Sequence, residues 1–499
     1  MKYVIGVDLG TSAVKILLVD KQGAVVKSVS KAYPLIQERT GYSEQNPQDW
    51  VDGTTSGLVE LLKDFDGDVR DIEGISFSGQ MHGLVLLDEN NEVLRPAILW
   101  NDTRTTAQCQ QIYEAVGEER LLQITKNPAL EGFTLPKILW VKQFEPEIFS
   151  KAKAFVLPKD YLRYKMTGRL QMELSDAAGT LLLDVSKKEW STELCELLEL
   201  DPALCQPLVY SHEEVGTVTA EFAAASGLAE STRVFAGGAD NACGAIGAGI
   251  LEDGKTLCSI GTSGVVLSYE ANDDKDFGGK VHYFNHGAPD AFYTMGVTLA
   301  AGYSLSWFKE TFAPDESFDG LLGEIGTVPA GSNGLLFTPY LVGERTPHAD
   351  AAIRASFIGM DSSHQRKDFA RAVLEGITFS LNESIELFRQ NGKGIDLIVS
   401  IGGGAQNEDW LQMQADIFNA KIVRLTTEQG PGMGAAMLAA YGCQWFDSLK
   451  ACADAFLQED KEFQPNEEAV AAYRKLFAIY QNVYGQTKEL NKKLLEFRK

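Results

Sequence analysis

The sequence predicts an α/β protein made of two related halves that face each other across a central cleft. Apolar strand segments alternate with helical segments along much of the chain, which is the pattern of α/β architecture. A Gly-Thr-Ser turn between two apolar strands occurs at residues 10–12 and again at 261–263. The 499 residues correspond to two or three domains at roughly 150 residues each. We expect a first domain at residues 1–247 and a second at 248–499.

In the first half, strands are predicted from apolar runs that end at small or polar turn residues. The helix predicted at residues 49–63 has apolar residues at helical spacing and an acidic first turn. The segment from about 127 to 231 is more helical and irregular. The predicted elements are strands at 3–8 and 13–20, a strand that begins at 24–26, a helix at 49–63, and strands at 72–78 and 96–100.

The second half repeats the opening device of a strand, a Gly-Thr-Ser turn and a return strand. Its last segment combines helical spacing with a mixed-charge face, which indicates a solvated outer helix. The first half ends with a predicted strand at 233–236 and a helix that begins at 241 and continues to 249. The elements predicted after them are strands at 256–260, 265–268 and 397–401, a helix at 409–419, a strand at 421–425, and helices at 433–441 and 467–499.

Composition excludes several classes of protein. The chain is 44% hydrophobic and 23% charged, as in ordinary globular proteins rather than disordered or fibrous ones. Its formal net charge of -24 argues against binding to nucleic acid or to an anionic membrane surface. The seven cysteines form no C-x-x-C pair, so neither a zinc site nor a disulfide framework is expected. With neither a signal peptide nor an apolar run of about 18 residues, we expect a cytoplasmic protein.

The segment Asp8-Leu9-Gly10-Thr11-Ser12 is the strongest local signal. A hairpin turn of small residues exposes backbone N–H groups, and the hydroxyls of Thr11 and Ser12 add donors, which together suit a triphosphate. Asp8, at the end of the preceding strand, is placed to bind Mg²⁺ directly or through water. The alternative is a plain β-turn with a surface aspartate.

Asp240 follows Gly237-Gly238-Ala239 and directly precedes a predicted helix. It is a candidate general base that takes a proton from a substrate hydroxyl, and the flanking glycines permit close approach of a ligand. It is equally a good helix N-cap. The two roles are compatible, because a helix N-terminus also attracts phosphate.

Three further segments lie at strand ends or in glycine-rich turns. His82 in Gln80–Gly83 is either a pocket residue or a structural histidine. Trp100 and Asn101 suit a polyhydroxylated ligand, although a core tryptophan beside a capping asparagine explains them equally well. Residues 402–407 could let a flat adenine lie against the backbone. Residues 249–256 satisfy G-x-x-x-x-G-K-[ST], but a helix is predicted before them and a strand after them, the reverse of a phosphate loop.

Taken together, these residues resemble the FGGY carbohydrate kinases of the actin/Hsp70/hexokinase-like ATPase superfamily, over nearly the whole chain. Residues 133–140 look like the first family signature. Residues 357–360 and 369–375 look like the second. The family members that phosphorylate D-xylulose are the most similar at residues 80–83, 98–102, 157–162 and 343–348.

The resemblance implies two ribonuclease-H-like domains, with ATP in the cleft and the sugar mainly on the first domain. It implies transfer of phosphate to O5 of D-xylulose with Asp240 as the base; Ala239 replaces a glycine found in many relatives, a mild departure. The implied sugar-binding residues are Met81, His82, Gly83, Trp100, Asn101, Asp240 and Asn241. The implied site for Mg·ATP comprises Asp8 on the metal side, Gly10, Thr11, Ser12, Gly261, Thr262, Ser263, Gly403, Gly404 and Asn407.

Two alternatives stay open from the sequence. One is a related kinase for another pentulose, a polyol or gluconate, since a few pocket contacts decide the sugar. The other is an actin- or Hsp70-like nucleotide switch, which would keep both turns but need no sugar pocket. We expect ATP and a sugar as small-molecule partners, no membrane partner, and a homodimer as in many relatives.

Overall fold

A computed structural model describes residues 1–426 and 429–498. The strands of the first half are β1 (Tyr3–Leu9), β2 (Ala13–Asp20), β3 (Val25–Ala32), β4 (Glu44–Gln45), β5 (Ile72–Gly79), β6 (Val85–Leu87), β7 (Ala97–Ile98), β8 (Ala154–Val156), β9 (Met172–Glu173), β10 (Leu183–Asp184), β11 (Glu189–Trp190), β12 (Leu208–Val209), β13 (Glu214–Thr217), β14 (Arg233–Phe235) and β15 (Gly238–Ala239). Its helices are α1 (Pro47–Leu62), α2 (Thr106–Val116), α3 (Glu118–Thr125), α4 (Thr134–Phe144), α5 (Pro146–Phe149), α6 (Pro158–Thr167), α7 (Leu174–Ala178), α8 (Thr192–Leu197), α9 (Ala220–Ser226) and α10 (Asp240–Gly247).

The second half has its own strands and helices. The strands are β16 (Gly254–Ile260), β17 (Gly264–Glu270), β18 (His282–Asn285), β19 (Phe292–Thr298), β20 (Leu336–Thr338), β21 (Ser356–Ile358), β22 (Ile395–Gly402), β23 (Lys421–Leu425) and β24 (Glu459–Phe463). The helices are α11 (Gly302–Phe312), α12 (Phe318–Leu322), α13 (Arg366–Gln390), α14 (Glu408–Phe418), α15 (Pro431–Gly442), α16 (Leu449–Phe456) and α17 (Glu467–Leu494).

Each half is built on one seven-stranded mixed sheet. The first runs β13-β14-β5-β1-β2-β3, with β15 paired to β5, and the second runs β18-β19-β17-β16-β22-β23-β24. In the first sheet β2 is antiparallel to β1 while β5 is parallel to it. In the second sheet β17 and β22 bear the same relations to β16. The two Gly-Thr-Ser turns therefore occupy equivalent positions, β1–β2 and β16–β17, and the predicted α/β class with two related halves is confirmed.

Two glycine-rich helices pack at the centre of the molecule. Helix α15 lies on the first sheet beside α10, although it comes late in the chain. A Cβ added to Gly6 in β1 would lie 2.1 Å from the carbonyl oxygen of Gly432, and one added to Gly434 would lie 1.9 Å from that of Cys243. Small residues permit this backbone contact. A helix of the second half thus completes the core of the first, and the boundary at residues 247/248 stays a prediction.

Most predicted elements agree with the structure to within a few residues. The strand predicted to begin at 24–26 continues to Ala32, and the one at 96–100 shortens to Ala97–Ile98. No element was predicted between residues 269 and 396, where β18, β19 and the 25-residue helix α13 lie. Residues 249–253 follow α10 and residues 254–256 begin β16, so a helix precedes this segment and a strand follows, and the rejection of a phosphate loop there was correct. None of the described helices combines the length and apolar character needed to cross a membrane.

Candidate active site at the ends of the central strands

Two carboxylates meet at the carboxyl edge of the first sheet. Asp8 stands near the end of β1 and pairs in register with Ser78 of β5. Ser78 also pairs with Gly238 of β15, and Asp240 begins α10 directly after that strand. Asp8 and Asp240 therefore flank the end of β5 from its two sides. This edge is where α/β folds place their functional loops.

The pKa values of both carboxyl groups are raised by their surroundings. Burial, followed by the negative charge of Asp8, raises the pKa of Asp240 to about 7. The backbone N–H of Asn241 donates to Asp240 Oδ1 at 2.7 Å and opposes that rise. Burial also raises the pKa of Asp8, against the hydroxyl of Ser78 and the charge of Lys15. A carboxylate with a pKa near 7 can exchange protons at neutral pH.

Side chains from other segments hydrogen-bond to the first turn, residues 10–12, while two of the turn's own backbone N–H groups have no acceptor among the described residues. Gln45 donates to the carbonyl of Thr11 at 2.6 Å, and the Trp100 indole N–H donates to Thr11 Oγ1 at 2.9 Å. The N–H of Gly10 closes the turn on Ala13. Among the described residues, the backbone N–H groups of Thr11 and Ser12 have no acceptor. These two donors are available to an anion.

The second turn, residues 261–263, opens onto a cavity of about 360 Å³ in the second half. Gly302 and Tyr303, at the start of α11, donate to the carbonyls of Gly261 and Thr262. Ser263 is not part of this cavity wall, although it was predicted with its neighbours. The lining residues are Ile260, Gly261, Thr262, Gly302, Tyr303, Leu305, Ser306, Phe318, Asp319, Leu322, Gly403, Gly404, Gln406, Asn407 and Trp410.

Asn407, in the wall of this cavity, is the N-cap of a helix. Its side-chain oxygen accepts from the backbone N–H of Trp410 at 2.9 Å and caps α14. Gly403 and Gly404 keep the wall beside it free of side chains. The cavity thus has a flat glycine floor, with Tyr303 and Trp410 among its aromatic neighbours, which suits a flat heterocycle.

The loop at residues 80–83 contacts Asn241, the residue after Asp240. The Met81 sulfur lies 3.5 Å from Asn241 Nδ2, next to Asp240. His82 has a left-handed backbone with φ of 67°. A Cβ on Gly83 would lie 2.7 Å from the Pro158 ring, so the glycine is needed for packing.

His82 is neutral and oriented. Its Nδ1 bonds the carbonyl of Gly179 at 2.6 Å, which fixes Nδ1–H as the donor and leaves Nε2 as an acceptor. Burial lowers the pKa of His82 to about 3. Lys137 donates to the His82 carbonyl at 2.9 Å and to that of Gly132 at 2.6 Å. Burial lowers the pKa of Lys137 to about 7.

Residues 100–104 include both side chains that can contact a ligand and a buried ion pair. Trp100 is 48% exposed and touches the first turn rather than the core. The buried Asn101 Oδ1 has no hydrogen-bond partner among the described residues. Asp102 and Arg104 instead form a buried ion pair at 2.6 Å, and Asp102 also accepts from the backbone of Ser43. Trp100 and Asn101, unlike Asp102 and Arg104, are therefore available to a ligand.

A buried polar network holds the strand that leads to Asp240. Ser175 Oγ accepts from the backbone N–H of Ala239 at 2.9 Å and donates to Glu173 at 2.7 Å. Arg163 donates to the carbonyl of Ala236 at 2.9 Å. The sequence analysis assigned no role to this network or to Lys137. The unusual signal was a charged residue inside an apolar run, as in Leu135-Pro136-Lys137-Ile138-Leu139.

Comparison with known proteins agrees with this geometry. Residues 3–247 match the model of the FGGY family of carbohydrate kinases, N-terminal domain, and residues 256–443 match that of the C-terminal domain. Xylulose kinase of Bacillus subtilis is 62% identical over 499 residues, 100% of both chains. That of Escherichia coli is 36% identical over 97% of this chain and 98% of the relative.

Solved structures give the same result. Ligand-bound xylulose kinase from Lactobacillus acidophilus superimposes with a TM-score of 0.94 at 30% identity, covering 99% of this chain and 100% of that one. Gluconate kinase from the same organism gives a TM-score of 0.92 at 30% identity, covering 97% and 98%. With both family models matched in order, the chain belongs to the FGGY family of carbohydrate kinases.

Proposed function

We propose that this protein transfers the γ-phosphoryl group of ATP to O5 of D-xylulose and releases ADP and D-xylulose 5-phosphate. The observation that carries the chemistry is the Asp240 carboxylate, whose pKa is raised to about 7, beside the anion-ready turn at residues 10–12. The choice of sugar is supported by the full-length similarity to xylulose kinases.

Asp240 acts as the general base in this proposal. Asn241 holds Oδ1 with two N–H groups, at 2.7 and 3.1 Å, so the second oxygen can face the sugar. As O5 attacks, its proton passes to Asp240, the new O5–P bond forms, and the bond between the γ-phosphorus and the bridging oxygen of ADP breaks. Little covalent chemistry is required of the protein beyond this alignment.

Met81, His82 and Asn241 are proposed to bind the sugar. Since Nδ1 of His82 donates to Gly179, Nε2 is free to accept from a sugar hydroxyl. Trp100 and Asn101 supply an exposed indole and a partnerless amide oxygen on the same half of the chain. Gly83 supports the loop through its packing on Pro158.

The carboxylate available at this site fits a magnesium ion whose other ligands come from the nucleotide phosphates and water. Among the described residues no group of three or more His, Cys, Asp or Glu could hold a metal alone, whereas Mg²⁺ typically takes one or two carboxylates and completes its shell with phosphates and water. Asp8 is the residue proposed to hold it. When bound, Mg²⁺ would neutralise phosphate charge.

The nucleotide is proposed to occupy the cavity of the second half, with adenine against Gly403 and Gly404. Its phosphates would be held between the first and second turns, where Thr11, Ser12 and Thr262 supply donors. The first domain (1–247) would thus bind the sugar and the second (248–499) the nucleotide. The homodimer and the cytoplasmic location stay predictions.

The test is ADP release measured on D-xylulose, L-ribulose, D-ribulose, glycerol and gluconate. We expect strong turnover on D-xylulose alone, abolished by Asp240→Asn and unchanged by the exposed control Asp66→Asn. Preferred turnover of another sugar would keep the kinase chemistry and discard D-xylulose. Sugar-independent ADP release at the best sugar-dependent rate would instead favour a nucleotide switch.

A further inference from the structure

The loop at residues 343–348 is fixed to the end of β19. Thr346 donates its backbone N–H to Val297 at 3.0 Å, and the Val297 N–H returns a bond to Thr346 Oγ1 at 3.1 Å. Glu344 accepts from the backbone N–H groups of Leu299 and Arg345, at 3.0 and 2.8 Å. The backbone of Arg345 is therefore held in place by the second sheet.

That edge of the second sheet reaches the sugar loop of the first half. His282 and Phe284 of β18 stack at 5.6 Å, and both rings contact Phe133 of the first half, at 5.8 and 6.2 Å. Phe133 in turn lies 4.6 Å from the ring of His82. One aromatic cluster thus joins β18 to the loop at residues 80–83.

The charge of the Arg345 guanidinium acts on two histidines of this cluster. This positive charge lowers the pKa of both His82 and His282, after the larger effect of burial. Desolvation lowers the pKa of Arg345 itself, while the opposing carboxylate of Glu131 acts in the other direction. In the described parts of the chain its guanidinium makes no hydrogen bond or ion pair. Arg104, by contrast, is paired with Asp102.

A guanidinium without a hydrogen-bonded partner has N–H donors available to a ligand. Arginine carries five N–H donors and no acceptor, and solvent reaches this side chain. Lowering of its pKa by the surrounding protein indicates that the ion is incompletely solvated there. A hydroxyl-bearing ligand in the pocket would satisfy these donors at little cost to the protein.

We propose that Arg345 is a substrate-binding residue that donates a hydrogen bond to the O1 hydroxyl of the ketose. The assignment rests on the proposed function, in which O5 lies at Asp240. From there a line of contacts runs from Asn241 to Met81 and from His82 through Phe133 to His282 of β18. Strand β18 pairs with β19, to which the loop of Arg345 is bonded. The far end of an extended pentulose carries C1 and its hydroxyl. The sugar is then bound by both halves.

The test compares D-xylulose with 1-deoxy-D-xylulose, which lacks only O1. A hydrogen bond to a charged group corresponds to roughly 10- to 100-fold in kcat/KM, and we expect the wild-type protein to prefer D-xylulose by that factor. Arg345→Ala should reduce the ratio to about one with the KM for ATP unchanged. Arg345→Lys should restore part of the preference. Arg474→Ala, on the exposed face of α17, serves as the control.

Each other outcome overturns the assignment. An undiminished preference for D-xylulose in an active Arg345→Ala protein would remove Arg345 from the O1 contact while leaving the proposed function standing. A rise in the KM for ATP alone would assign the guanidinium to the phosphates. Absence of D-xylulose turnover in the wild-type protein would overturn the proposed function together with this inference. If circular dichroism shows that the Arg345→Ala protein is unfolded, Arg345→Gln replaces it in the same comparison.

Discussion

Asp240→Asn should abolish turnover and at the same time stabilise the folded protein above neutral pH. The substitution keeps the size of the side chain, and the amide oxygen can still accept the two N–H groups of Asn241. It removes a negative charge that burial and Asp8 disfavour. The folded protein therefore no longer has to hold a carboxylate in an unfavourable place.

The magnitude follows from the pKa. In the folded protein the pKa of Asp240 rises from 3.8 to about 7, a shift of roughly three units, or about 4 kcal/mol at 1.36 kcal/mol per unit. The side chain keeps partial contact with water, so we expect about half of this, near 2 kcal/mol. For a domain of about 150–250 residues, that corresponds to a rise in Tm of roughly 4–8 °C.

The pH dependence has a definite sign. Because the folded-state pKa is raised, the folded protein binds the proton more tightly than the unfolded chain does, and this group costs stability as pH rises from about 4 to about 7. The gain from Asp240→Asn should therefore be small near pH 4, increase as pH rises toward 7, and be full at pH 8. Scanning calorimetry of the wild-type and variant proteins across this range measures it.

The control and the refuting result are specific. Asp66→Asn, at an exposed position, should leave Tm unchanged at each pH. In an Asp8→Asn background the gain from Asp240→Asn should shrink, since the charge of Asp8 contributes to the raised pKa and contacting residues are not additive. A gain of equal size at pH 5 and pH 8, or a loss at pH 8, would refute the reasoning.

The remaining predictions concern the base, its support, the nucleotide cavity and the central helices. The acid limb of kcat/KM for D-xylulose should fall about tenfold per pH unit below pH 7, because Asp240 must be unprotonated in the free enzyme; stopped assays from pH 5 to 8 measure this. Ser175→Ala removes the bond to the strand before the base and should lower kcat about tenfold, with that limb displaced and the KM for ATP unchanged. Gly403→Leu places a side chain in the cavity wall and should raise the KM for ATP but not for the sugar. Gly434→Ala forces a Cβ to 1.9 Å from a backbone carbonyl of α10 and should lower the free energy of unfolding by about 3 kcal/mol or more. Gly485→Ala, with open space around it, should stabilise α17 by about 0.5–1 kcal/mol. Thermal unfolding of the two variants measures both effects.

The parts of the fold that were predicted are those with local signals. The hairpins around residues 10–12 and 261–263 depend on glycine and on flanking apolar runs, which a short window contains. Strand β19 depends instead on pairing with β17, and β18 on pairing with β19, and strand preference is decided by such neighbours. Helix α13 contains Gly376, whose position is set by contact with the carbonyl of Phe337, 2.3 Å from an added Cβ. A glycine inside a helical segment costs about 1 kcal/mol relative to alanine, so it weakens the helical signal of the sequence.

The candidate site divides in the same manner. Asp8 and Asp240 could be predicted because each stands at the end of a strand beside glycines. Lys137 could not, because its contact with His82 spans 55 positions in sequence, and Ser175 reaches Ala239 across 64. Arg345 lay in a motif that the sequence analysis quoted for the family resemblance, but no local pattern relates it to His82. Residues that act through distant contacts are visible only in the folded chain.

The buried charges behind Asp240 make sense as positioning devices rather than as a source of stability. Lys159 contacts Asp160 and Asp176 at 3.0 Å, and all three are fully buried. Burial raises the pKa of Asp176 well above its usual range, against the charge of Lys159. Arg163 also contacts Asp160, at 2.9 Å. Such an arrangement is often no more stable than a packed apolar core, but here its members bind the backbone just before the base. An apolar residue in place of Arg163 or Ser175 would remove one of those two bonds, and we expect Asp240 then to be positioned less precisely than phosphoryl transfer requires.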